Sequence, residues 1–338
     1  MTGRSVSESE FWSGKRVFVS GAGGFIGSHL VEALSVRGAS VKAYVKYNSR
    51  GHRGWLESMS VATTPNVEVI LGDVRDYHRL RSAIEGSHVV FHLAALIGIP
   101  YSYAAASSYV ETNVSGTLNL LQACLEHDVE RVVHTSTSEV YGTALYTPID
   151  EQHPLQGQSP YSASKIAADK LAESFHLSFD LPLTTVRPFN CFGPRQSARA
   201  VIPTIITQAF VRDRVRLGDL DPIRDLTFVE DTVRAFLCAA ASDSTIGEVL
   251  NVGTGNGCSI GELAQRILDM MGMKIPVEQV DKRKRPSKSE VMELVCDSGK
   301  LAELTGWVPQ HSLEQGLTKT IEWVKEHLDV YRPEIYSI

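Results

Sequence analysis

Apolar and polar positions divide this chain into two textures. Through the first 187 residues, short apolar runs alternate with longer stretches in which apolar residues recur at helical spacing. The runs at 16–20, 41–45, 67–71, 89–93, 131–136 and 183–187 are rich in valine and read as strands buried on both faces. Between them, 28–37, 76–85, 108–127 and 160–179 read as helices. Alternating β and α predicts an α/β protein: a Rossmann-like, doubly wound parallel sheet with helices on both faces. Ligands of such sheets lie at the carboxyl ends of the strands. Gly21, Asp73, Ala94 and Ser136 all fall there.

After residue 187 the pattern changes. A loop over 188–193 leads to a helix at 200–213 and a short irregular stretch. The spacing then predicts a helix from 228 to 241 and one more strand at 248–252. Ser259 and Glu262 form a capping-box signature at the head of a helix over 259–271. Helices at 298–304 and 313–327 close the chain. The expected organisation is a dinucleotide-binding domain over 1–187 and a smaller α/β substrate-binding part over 188–338. Segments near 228–253 are expected to return to the first domain.

The turn after the first strand sharpens this picture. Gly21-Ala22-Gly23-Gly24-Phe25-Ile26-Gly27 sits between a strand and a helix, the context a dinucleotide fingerprint requires. The spacing is G-x-x-G-x-x-G. The helix start offers free N–H groups and a positive dipole end to a pyrophosphate.

Further along, Tyr161 and Lys165 lie four residues apart, on one face of a helix. An ammonium there favours the phenolate, so that Tyr161 would act as a base below its free pKa of about 10. A hydroxyl from Ser136 or Thr137 would hold a substrate oxygen beside it. These are the parts needed to take a hydride from a secondary alcohol. The rival reading of Tyr161 and Lys165 alone is two solvated side chains on a surface helix.

Composition narrows the class. The chain has 338 residues, 43% hydrophobic and 21% charged, enough for a substantial core. A net charge of −6 gives no sign of general nucleic-acid binding, and the basic run Lys282-Arg283-Lys284-Arg285 is too short to reverse that. No apolar run is long enough to span a membrane, and residues 1–10 lack a signal-peptide core. Five scattered cysteines without a C-x-x-C pair suggest reduced thiols and a cytoplasmic protein, and no His/Cys cluster has metal spacing.

The cofactor type depends on the end of the second strand. NAD enzymes usually place a carboxylate there for the ribose hydroxyls. This chain has Val45-Lys46-Tyr47-Asn48-Ser49-Arg50. Lys46, Ser49 and Arg50 would suit a 2′-phosphate, which favours NADP, with NAD as the alternative. Asp73 would accept from the adenine amino group, and Val74 would pack on the ring.

The glycine loop, Ser136-Thr137-Ser138-Glu139-Val140-Tyr141-Gly142 and Tyr-x-x-x-Lys stand in register. With them the chain resembles the extended short-chain dehydrogenase/reductase family, in its sugar-nucleotide epimerase/dehydratase branch. The match runs from about 15 to 325 and includes Ala94-Ala95, Glu111-Thr112-Asn113, Arg187-Pro188-Phe189-Asn190 and Gly193-Pro194-Arg195. The whole pattern is most similar to the nucleotide-N-acetylglucosamine 4,6-dehydratases of legionaminic acid biosynthesis.

The resemblance implies a reaction and its residues. Tyr161, Lys165 and Thr137 would oxidise C4, and Glu139, in the triplet Thr137-Ser138-Glu139, would take the C5 proton before water leaves from C6. The cofactor, tightly held and recycled, would return its hydride to C6, giving a 4-keto-6-deoxy sugar nucleotide. Gly21, Gly24, Phe25, Ile26, Gly27, Ala94, Ala95, Asn113 and Ser136 would join Tyr161 and Lys165 around the cofactor. Asn190, Arg199, Arg224, Arg285 and Glu290 would bind a UDP- or GDP-linked N-acetylglucosamine. A homodimer through helices 108–127 and 160–179 is also implied. The enzymatic rivals are a 4-epimerase and a UDP-glucuronate decarboxylase. The rival of another class is a non-catalytic dinucleotide sensor.

Overall fold

Parallel strands form the centre of the molecule. The computed structural model describes residues 11–58, 66–283, 286 and 289–331. In the first half, β1 (Arg16–Ser20), β2 (Ser40–Lys46), β3 (Val67–Gly72), β4 (Val89–His92), β5 (Arg131–Thr135) and β6 (Leu183–Pro188) lie in the order β3-β2-β1-β4-β5-β6. All their pairings are parallel. The order reverses between β1 and β4, so the crevice for a ligand opens there, at the carboxyl ends.

Period-two alternation in β1 builds both faces. Val17 and Val19 join Leu30, Val31 and Leu34 of α1 (Phe25–Val36) in one buried cluster. Phe18 points the other way. It packs with Leu80 and Ile84 of α2 (Tyr77–Ile84) and shares its cluster with residues from further helices on that face. Each of these leucines is fully buried, and trimming one to alanine typically costs about 2–5 kcal/mol.

The stretch predicted as one helix over 108–127 is interrupted. After α3 (Ile99–Ala104), α4 (Ala106–Tyr109) passes through a wide π turn at Val110–Ser115 into α5 (Gly116–Glu126). Two contacts favour the break. Asn113 inside the π turn is bonded to the Leu96 backbone, and Gly116 lies so close to Val74 that a Cβ there would come within 2.8 Å of Cγ2. The helix at 160–179 is continuous as α6 (Pro160–Phe179). Its Ser159–Ser162 capping box and Pro160 fix its start one residue before Tyr161.

The second half contains more strand than its pattern shows. The expected loop after β6 holds β7 (Asn190–Phe192), followed by α7 (Val201–Val211) and β8 (Val215–Leu217). The irregular stretch ends in β9 (Ile223–Phe228), which leads into α8 (Val229–Ala241). β10 (Val249–Val252) adds a seventh parallel strand beside β6. β11 (Gly257–Ser259) pairs antiparallel with β9 and leads into α9 (Ile260–Met270), which carries the expected Ser259–Glu262 capping box. β12 (Val277–Gln279) pairs with β8, and β13 (Glu293–Leu294) and β7 pair with β9. α10 (Gly299–Thr305) and α11 (Leu313–Glu326) follow. No helix among the described residues is long and apolar enough to cross a membrane.

Candidate active site

A cavity of about 820 Å³ opens at the carboxyl ends of β1 to β6. One end is built by the glycine turn. Gly21 takes φ +71°, and a Cβ on it would fall 2.8 Å from the Ala94 nitrogen. Gly27 lies against the Gly21 carbonyl, where a Cβ would sit at 2.2 Å. These contacts bring α1 close to β1, and its first turn lines the cavity. The N-cap Gly24 has no side chain to occupy the first N–H groups of α1, and the first turn of α1 carries no acid. The donor set fits a pyrophosphate. Gly21, Gly24, Phe25, Ile26, Gly27, Lys46, Asp73, Val74, Ala94 and Ala95 all line the cavity.

Several predicted cofactor residues stand differently. Ser49 and Arg50 are exposed and outside the lining. The reason is a local turn: the Asn48 amide oxygen accepts from the backbone N–H groups of Arg50 and His52, so Asn48 and His52 face the cavity instead. The Asp73 carboxylate is engaged by Arg75, at 2.7 and 3.0 Å, which holds it below the usual carboxylate range. Asn113 does not reach the lining. Its amide accepts from Leu96 N at 2.8 Å and donates to Leu96 O and Ser164 Oγ, both at 2.9 Å. It ties the 94–98 loop to α6. Ser136 lines the cavity, and its hydroxyl donates to Asp169 at 2.7 Å, so that toward a substrate hydroxyl it offers an acceptor rather than a donor.

At the other end Thr137, Ser138, Glu139, Tyr161 and Lys165 share the lining. Tyr161 is 7% exposed and meets Tyr109 edge-on, with 6.2 Å between ring centroids. Burial pushes its phenol above the ordinary value, against a hydrogen bond with Thr137 that pulls it down, and the Glu139 charge adds to the rise. The Lys165 ammonium donates to the Thr135 carbonyl at 2.6 Å, and burial lowers its pKa to about 8, with Asp169 pulling it up. Glu139 is half-buried, and its carboxylate accepts no hydrogen bond from any described residue.

The predicted substrate residues divide. Asn190 lines the cavity, and its amide oxygen is buried without a partner among the described residues. Arg199 also lines it, with its guanidinium against Gly98, where a Cβ would sit 3.4 Å from Nη1. Arg224 and Glu290 are outside the lining. They form an ion pair at 3.2 Å, with Arg224 buried and Glu290 partly buried. Arg285 lies outside the described residues. Sequence reasoning missed Gln196, which lines the cavity with a buried, unpartnered amide oxygen. It follows Gly193-Pro194-Arg195, a string noted for family likeness, and its polarity was the only local sign.

The fold, the glycine turn and the Tyr161–Lys165 pair define an extended short-chain dehydrogenase/reductase. The chain belongs to the GDP-mannose 4,6 dehydratase family, whose model matches residues 18–320. Among its relatives is the low-salt glycan biosynthesis protein Agl12 of Haloferax volcanii, 33% identical over 91% of this chain and 97% of that one. A UDP-N-acetyl-alpha-D-glucosaminuronate decarboxylase of Bacillus cytotoxicus is 33% identical over 92% of this chain and 98% of its own length. The structure of DesIV, a dTDP-glucose 4,6-dehydratase from Streptomyces venezuelae with NAD bound, superposes with a TM-score of 0.87. It is 32% identical and covers 94% of this chain and 99% of DesIV.

Proposed function

We propose that this protein is a nicotinamide-dependent sugar-nucleotide 4,6-dehydratase acting on UDP- or GDP-linked N-acetylglucosamine. The carrying observation is that Glu139, with an unengaged carboxylate, lines the same cavity as Tyr161 and Thr137. A 4-epimerase needs only the tyrosine and its hydroxyl neighbour. A dehydratase also needs a base for the C5 proton.

In this reading the Thr137 hydroxyl orients the sugar's 4-oxygen and Tyr161 takes its proton. An oxidised nicotinamide held in this cavity would supply a positive charge that favours the phenolate and a reversible hydride acceptor for the C4 and C6 chemistry. Ketone formation at C4 acidifies C5, and Glu139 removes that proton. The protonated Glu139 then serves as the acid for the C6 hydroxyl, which leaves as water, and C5 takes its new proton from solvent when C6 gains its hydride. Asn190, Gln196 and Arg199 present donors and acceptors to the nucleotide sugar. Arg285 is kept as a proposed phosphate ligand. Residues 1–187 and β10 serve the cofactor, and the remainder closes over the substrate.

The cofactor proposed is NADP, with Lys46 as the cation nearest a 2′-phosphate and no carboxylate at the end of β2. A cytoplasmic homodimer is proposed through α5 and α6, where Val110, Leu177 and Phe179 stay more than half exposed on or beside these helices.

Solvent deuterium tests the role of Glu139. The parental enzyme should place deuterium at C5 of the product. Glu139→Gln should slow product formation by a factor on the order of 10² or more. Unchanged product formation by that variant would remove Glu139 from the mechanism.

A further inference from the structure

Thr137 caps, and Glu139 lies within, a short 3₁₀ turn over Ser138–Tyr141 that follows β5. The bonds inside this turn are long. Glu139 N donates to the Thr137 hydroxyl at 3.2 Å, and Val140 N to the Thr137 carbonyl and Gly142 N to the Glu139 carbonyl at 3.4 Å each. Such bonds fix a backbone only loosely. The turn is therefore held from outside, at Val140 by Gln156 N at 2.7 Å and at its two feet by side chains.

One buried guanidinium serves both feet. Arg187 of β6 donates through Nη2 and Nε to Asp169 at 3.0 and 3.2 Å, and Asp169 accepts from Ser136 Oγ, just before the turn, at 2.7 Å. Through Nη1, Arg187 donates to the hydroxyl of Tyr141, the last residue of the turn, at 3.0 Å, and it lies 5.1 Å from the centre of that ring. Burial pushes the Tyr141 phenol up to about 12, so it keeps its proton and donates to Asn251 Oδ1 of β10 at 2.7 Å. The Asn251 amide is oriented in turn by its bond to the Ile149 carbonyl at 3.1 Å. Tyr141 and Asn251 are fully buried. A buried ion pair adds little net stability, because desolvation offsets most of the Coulomb gain. What a guanidinium adds is a planar fork of donors in fixed directions.

We propose that Arg187 and Tyr141 are positioning residues for Glu139: their hydrogen bond fixes the far end of the Ser138–Tyr141 turn and so holds the Glu139 carboxylate in register with Tyr161 across the cavity. Neither Arg187, Tyr141, Asp169 nor Asn251 lines that cavity, so the group acts through the turn. Asp169 lies on α6, about two turns beyond Tyr161, and the clamp thereby refers Glu139 to the helix that carries the tyrosine. Tyr161 itself is held by α6 and does not depend on the Tyr141 hydroxyl. Loosening the far end of the turn should then slow the step given to Glu139 and spare the one given to Tyr161. The inference rests on the reading of Glu139 as the C5 base.

Tyr141→Phe tests this, because it removes the hydroxyl and keeps the ring. In single turnover with the UDP- or GDP-linked N-acetylglucosamine that the parental enzyme converts, absorbance of the reduced cofactor reads oxidation at C4, and product mass reads dehydration. Oxidation should stay near the parental rate, while dehydration slows by a factor of about 10 to 100 and reduced cofactor accumulates. Without any sugar, amide hydrogen exchange over 137–142 should speed up while that of β1 and β4 is unchanged. Tyr146→Phe is the control: the Tyr146 hydroxyl bonds Asp150 at 2.7 Å at the surface, and its loss should change neither step. If Tyr141→Phe does not fold, Arg187→Lys keeps the charge beside Asp169 but cannot span both partners, and the same split is expected. In a folded variant, equal slowing of both steps, or slowing of neither, would reduce the network to a structural anchor, and unchanged exchange over 137–142 would contradict the clamp. Failure of the dehydratase reading would show separately, as the absence of dehydrated product from the parental enzyme, and the exchange measurement needs no turnover.

Discussion

Removing the phenolic oxygen of Tyr161 isolates its chemistry from its packing. Tyr161→Phe keeps the ring against Tyr109 and Ile99. Turnover should fall by a factor on the order of 10³ or more, while cofactor binding by calorimetry stays near parental strength. A variant that turns over normally would exclude Tyr161 as the base. At this scale the reactive residues were legible in the chain because each lies in a short local motif: Thr137 and Glu139 after a strand end, Tyr161 and Lys165 one helical turn apart. The supporting residues were not. Asn113 sits in a family string and Arg224 was implied by the resemblance, yet one bonds the Leu96 loop and the other pairs with Glu290. Asp169 and Gln196 gain their meaning from neighbours far away in sequence, which no local pattern records.

Among the elements, α1 and its turn carry two further predictions. Gly27→Ala would force a Cβ into the Gly21 carbonyl and push α1 off β1. Stability should drop by about 1–3 kcal/mol in chemical denaturation, with dinucleotide binding lost in the folded fraction. Parental affinity in that variant would show that the close approach is not required. On the same helix, the ring of His29 bonds the Pro194 carbonyl at 3.0 Å. Burial, aided by the charge of Arg195, lowers its pKa from 6.5 to about 4. Between those values the unfolded chain takes up a proton that the folded chain refuses. Stability should therefore fall as pH drops through 6.5, with the His29 share of the loss complete below about 4. His29→Gln should flatten that part of a urea-midpoint profile, and an unchanged slope would mean that other groups govern it. The main strands and α1, α2, α6 and α9 follow from apolar period and capping signals. The π turn at Val110–Ser115, the six-residue β9 and the short strands β7, β8, β11, β12 and β13 do not. Three-residue strands have too few positions to show a period, and tertiary pairing to β9 and β8 decides them.

For the whole molecule, two properties stand on the second strand and on the outer helices. Protein purified from its source, once denatured, should release NADP. Release of NAD alone, with NADP unable to support activity, would overturn the role given to Lys46. Light scattering at micromolar concentration should report a dimer, and a monomer would leave the exposed side chains of α6 without the proposed partner. The sheet order was legible because β–α alternation admits few topologies, whereas the sugar was not, since substrate contacts come from separate loops. The most direct test of the account is the mass of what the protein makes. Incubation with UDP-, GDP- and dTDP-linked sugars should convert a UDP- or GDP-linked N-acetylglucosamine to a product lighter by one water. An unchanged mass with inverted C4, or loss of carbon dioxide from a uronate, would contradict it.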